Sequence, residues 1–68
     1  MFSRLDFADV LLQARRKKNY TQEMAAELCG LSLRHYQAME AGKVNPRMDV
    51  FVRVCDAMDL HWEDFRSP

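Results

Sequence analysis

At 68 residues the chain has room for one domain and sits near the lower limit at which a hydrophobic core holds without disulfides or metal. An apolar content of 49% permits such a core, whereas two cysteines, the lack of any apolar run of membrane-spanning length and the lack of a basic-then-apolar leader argue against a disulfide scaffold, a membrane protein or a secreted one. A cytoplasmic protein with reduced thiols is the expectation. Ten Lys+Arg balance ten Asp+Glu, but residues 1–47 hold eight basic and five acidic side chains (+3) and residues 48–68 two and five (−3), a gradient that fits one basic face and one other face, or an ordinary soluble domain.

Residues 1–6 have no clear periodicity, and Phe2, Leu5 and Phe7 fit an N-terminal extension. Phe7, Val10, Leu11 and Ala14 then recur at three and four, predicting an amphipathic helix over about 7–18 that ends at Asn19, a good left-handed cap. Its last turn, Arg15-Arg16-Lys17-Lys18, has two readings: cations complementing the helix dipole, or contacts to phosphate.

Thr21 is a hydroxyl N-cap and Gly30 a C-terminal stop, which places a second helix at about 22–29. Ser32 and Gly42 bracket a third at about 33–41. Ala25, Ala26 and Cys29 make a small-residue face on the former; Tyr36 and Met39 on the latter point inward with Leu31. Two helices joined through a short Gly-containing turn form the helix-turn-helix signature, whose second helix enters the DNA major groove. After the loop 43–47, with Pro46 ahead of a new pattern, Met48, Phe51, Val52, Val54, Cys55 and Met58 predict a fourth helix over about 47–58. Its apolar arc is wide enough to suggest the central buried helix, with Asp59 as its left-handed cap. Leu60, Trp62 and Phe65 suggest a fifth at about 61–66. The expected fold is all-α, five helices in one domain spanning 1–68.

The spaced set Arg15, Thr21-Gln22-Glu23, Ala26, Gly30-Leu31-Ser32, Met39-Glu40, Gly42-Lys43, Asn45-Pro46, Ala57-Met58 and Leu60 resembles the Cro/lambda-repressor-like helix-turn-helix family, the Xre family, without a gap from about Leu11 to Phe65. The resemblance implies a compact five-helix DNA-binding domain, often dimeric on inverted half-sites. It also implies an internal ion pair between Arg15 and Glu40, a clamp on the fold rather than a binding feature. Position by position, it assigns Gln22 to a DNA phosphate; Leu33, Arg34, Gln37 and Ala38 to base edges; and Lys43, Asn45 and Arg47 to the next phosphates. Arg pairs bidentately with guanine and Gln with adenine, while Leu33 can only pack on a thymine methyl or sugar, so Arg34 is the strongest candidate for base readout. Two departures stand out. Met24 replaces the Glu that would complete a capping box and Ala25 a larger apolar residue, so the second helix is expected to be less firmly capped and packed. The stretch 32–42 carries one permanent cation, so modest affinity and a homodimer are expected.

Cys29 with His35, and Cys55 with His61, are each six apart, wider than ordinary zinc spacings, and both cysteines fall on expected core positions. No metal, cofactor or enzymatic activity is expected. Met24, Met39, Met48 and Met58 read as core filler. Trp62 and Phe65, with Phe2 and Leu5, either close the base of the core or form an apolar dimer patch. The functional expectation is a sequence-specific double-stranded DNA-binding regulator of prokaryotic or phage type, acting as a repressor. The alternative is a protein-protein adaptor or antitoxin-type partner on the same fold.

Overall fold

The computed structural model describes the backbone of residues 4–61 and the side chains of residues 6–61. Over that span the chain forms four helices and no strand: α1 (Arg4–Lys17), α2 (Gln22–Cys29), α3 (Leu33–Glu40) and α4 (Met48–Met58). The expected fifth helix, with Trp62 and Phe65, and the N-terminal Phe2 and Leu5 side chains lie outside the described residues. α1 starts three residues ahead of the position expected from periodicity. Hydrophobic spacing marks where a helix meets the core, not where it begins, and an acidic residue in the first turn, Asp6, suits the exposed start. Arg47 precedes α4 as its N-cap without a side-chain hydrogen bond.

All four helices end through a residue in the left-handed region: Asn19 (φ 58°), Gly30 (69°), Gly42 (73°) and Asp59 (56°). The first three close with paired backbone bonds. Asn19 N–H donates to Arg16 C=O and Tyr20 N–H to Arg15 C=O, and the same pattern recurs at Gly30 with Leu31 and at Gly42 with Lys43. Tyr20, Leu31 and Leu60, each just beyond such a cap, pack against the core. The caps therefore stop each helix, and those at Asn19, Gly30 and Asp59 also return the chain to the protein interior.

That interior is built from Phe7 and Leu11 of α1, Ala25, Ala26 and Cys29 of α2, Tyr36 and Met39 of α3, and Val50, Val54 and Met58 of α4. The rings of Phe7 and Phe51 meet at 5.8 Å. α2 packs on α3 and α4, and α1 on the same two helices. Ala25 is fully buried and the Thr21 hydroxyl accepts a 3.0 Å bond from Met24 N–H, so α2 is capped and packed despite the two sequence departures. The small face is what lets α2 sit close to its neighbours.

Three expectations about the core need correction. α4 is not buried over a wide arc: the stripe Val50, Val54, Met58, repeating every four residues, faces inward, while Val52 is 55% and Met48 75% exposed. Val52 lies two residues from both Val50 and Val54, roughly 200° around the helix, and so must point away from them. Of the methionines read as core filler, Met39 and Met58 are buried, whereas Met24 and Met48 are exposed. Cys55, expected in the core, is half-buried.

Candidate nucleic-acid interface

α3 is held by both ends and by its inner face. Ser32 Oγ accepts from His35 N–H at 3.1 Å, and Tyr36 and Met39 are fully buried beneath the helix. Fixing Tyr36 and Met39 inward leaves Leu33, Arg34 and Gln37 exposed on the outer side, with Ala38 half-buried between. An open groove of about 480 Å³ runs between this helix and the following loop, lined by Ser32, Arg34, His35, Ala38, Val44, Asn45 and Arg47.

That groove brings together Arg34 and Ala38, expected at base edges, with Asn45 and Arg47, expected at phosphates. Leu33 and Lys43 are exposed outside it. Val44 was not among the candidate residues; an apolar side chain in an otherwise polar loop was its only sequence signal. Arg34 has no hydrogen-bond or ion-pair partner among the described residues and is exposed, so its guanidinium can reach outward. Among the described residues the Arg47 side chain has one partner, Asp49 at 3.8 Å, and both are largely in solvent, where such a pair contributes little. The groove thus offers two guanidinium groups, an imidazole, an amide and a hydroxyl around the apolar atoms of Ala38 and Val44. This set can hold an anionic, hydrogen-bonding surface.

Beneath α3 lies a connected polar chain. Arg15 Nε donates to Glu40 Oε2 and Arg15 Nη2 to Glu40 Oε1, both at 2.8 Å, while Arg15 Nη1 donates to the Tyr20 carbonyl at 2.9 Å. Gln22 Nε2 donates to the same Glu40 Oε1 at 3.1 Å, and Gln37 Nε2 donates to Gln22 Oε1 at 3.0 Å. Burial pushes the Glu40 carboxyl up, but the Arg15 guanidinium first, then the nearby Tyr36 phenol and the Gln22 amide, together outweigh it and hold the group below its ordinary value. Glu40 raises Arg15 in return, chiefly through the hydrogen bond between them. Burial first, and then the adjacent Glu40, push Tyr36 far upward, and its hydroxyl has no hydrogen-bond partner among the described residues.

The involvement of Gln22 and Gln37 in this chain was not foreseen from the sequence. Among the described residues no three metal-ligating side chains come together, and Cys29 is buried, its thiol raised by burial. A larger recess of about 680 Å³ lies between α1 and the end of α4, lined by Val10, Ala14 and Lys17 on one side and by Met58, Leu60 and His61 on the other. No helix among the described residues is long and apolar enough to cross a membrane.

Residues 11–65 match the helix-turn-helix family. Among solved structures, the chain is similar to the restriction-modification controller protein C.AhdI from Aeromonas hydrophila, at 24% identity and a TM-score of 0.83, over 93% of this chain and 96% of that one. It is also similar to a helix-turn-helix family transcriptional regulator from Vibrio cholerae, at 18% identity and a TM-score of 0.82, over 91% of this chain but only 35% of that protein. These two likenesses concern the fold. No curated protein matches the sequence.

Proposed function

Because the chain belongs to the helix-turn-helix family of Xre or lambda-repressor-like DNA-binding, non-enzymatic regulatory domains, we propose that it is a sequence-specific regulator of transcription acting in the cytoplasm by occupying a double-stranded operator as a repressor. In this reading α3 lies in the major groove, Arg34 reads a guanine, and Leu33, Gln37 and Ala38 meet neighbouring base edges. Gln22, Lys43, Asn45 and Arg47 fix the register on phosphates. The observation that carries it is the groove in which the exposed Arg34 of α3 stands beside Asn45 and Arg47 of the loop, which suits simultaneous contact with base and backbone. A controller of restriction-modification and a transcriptional regulator sharing the fold support it further. With few cations on α3, affinity comes from pairing two copies on a two-fold site.

The test is selection of bound duplexes from a random pool, then salt titration on the winner. An enriched two-fold motif is expected, with the slope of log affinity against log salt reduced by about one unit when Lys43 or Arg47 is replaced by Ala. Absence of enrichment from the folded protein would overturn the reading and turn the search to protein partners.

A further inference from the structure

The polar chain beneath α3 has a direction. Glu40 is ionised and carries no proton to give, so the Gln22 amide must turn its Nε2–H toward Glu40 Oε1. Reversing it would set carbonyl oxygen against carboxylate oxygen. Gln22 therefore presents its Oε1 on the other side, where only a donor can meet it, and Gln37 supplies its Nε2–H at 3.0 Å. The orientation of the exposed Gln37 amide is thus imposed from the protein interior. What it has left to offer is its carbonyl oxygen and its second N–H.

We infer that Gln22 is a positioning residue that locks the Gln37 amide as an acceptor-plus-donor pair selective for adenine, with the Arg15–Glu40 pair as the fixed end of the chain. Adenine presents the N6 amino group and the N7 acceptor in the major groove, which match that pair; guanine presents two acceptors and offers nothing to the Gln37 oxygen. A Gln whose amide turns freely loses rotational freedom on binding and can seek other partners. One already held by Gln22 loses less and discriminates better. Gln22 keeps a second N–H of its own, so contact with a phosphate is compatible with this role. The inference rests on the DNA-binding reading above and assigns one base preference within it.

The experiment measures wild type, Gln22→Leu, Gln37→Ala and the double variant, each with its thermal transition verified, against the selected duplex and every single base-pair substitution of it. Wild type should prefer adenine at one position, and Gln37→Ala should reduce that preference roughly tenfold. Gln22→Leu should reduce the same preference at the same base pair, and should change it no further once Gln37 is already Ala. If Gln22→Leu fails to fold, Gln22→Asn, a methylene too short to span Glu40 and Gln37, takes its place. A uniform loss of affinity with the adenine preference intact would overturn the inference and leave Gln22 as a phosphate contact, while the DNA-binding reading stands. Preference for guanine at the Gln37 position would overturn it too. Failure of wild type to select any duplex would remove both.

Discussion

Arg15 of α1 and Glu40 of α3, 25 positions apart, are joined by two parallel hydrogen bonds of 2.8 Å, and the side chains are only 17% and 6% exposed. The pair ties the first helix to the end of the third. Removing one partner strands the other. Arg15→Ala would leave a buried carboxylate with Gln22 as its remaining hydrogen-bond donor among the described residues, and the Tyr20 carbonyl without its guanidinium, at a cost of about 3–5 kcal/mol. In a domain of 68 residues such a loss takes most of the stability. Urea unfolding should show it, whereas Arg15→Met combined with Glu40→Leu should recover a large part. A single variant losing less than about 1 kcal/mol would mean the pair is not a clamp.

The same pair sets an acid limit. Glu40 is held below its ordinary value of 4.5 in the folded chain, so below that pH the unfolded state takes up a proton that the folded state resists. The stabilisation is fully present above the unfolded value and is lost as pH falls through the folded one. Melting temperature measured from neutrality downward should therefore hold level as far as this group is concerned, then fall below about pH 4.5. Glu40→Gln should start lower and show a shallower acid limb. An equally steep limb in that variant would assign the effect to other carboxylates.

Arg34 is exposed and without a partner among the described residues, so its replacement should leave folding almost unchanged. If it reads a guanine, Arg34→Ala should cost about 1–3 kcal/mol on the preferred duplex and little on random DNA. Competition binding with the two DNAs measures the difference directly. Equal losses on both would make Arg34 a phosphate contact.

What the sequence disclosed and what it hid divide by the range of the interactions involved. Thr21, Ser32, Asn19, Gly30, Gly42 and Asp59 act on backbone groups within a few residues, and their chemistry could be read one turn at a time. The Arg15–Glu40 pair came from family resemblance, since spacing alone does not say which carboxylate meets a guanidinium 25 residues away. Gln22 and Gln37 were expected to face DNA separately; that they bond to each other depends on how α2 crosses α3, which no local pattern encodes. Val50 was missed and Met48 and Val52 overvalued for a related reason. α4 is apolar on more sides than the small core can cover, so composition did not single out the inward stripe.

The left-handed caps give a last, opposed pair of predictions. Gly30 sits at φ 69°, where an L side chain is strained, but a Cβ there would come no nearer than 3.6 Å to Arg53 Cδ, an ordinary contact. Gly30→Ala should therefore lose only the backbone term, about 1–2 kcal/mol, without a packing penalty. Asp59 adopts nearly the same conformation, φ 56°, with a side chain in place. Asp59→Gly should relieve that strain and raise stability by up to about 1 kcal/mol, offset in part by the greater entropy of Gly in the unfolded chain. Thermal unfolding of the two variants beside wild type tests both signs. If both are destabilised, the Asp59 side chain contributes to holding the end of α4 more than its backbone conformation costs.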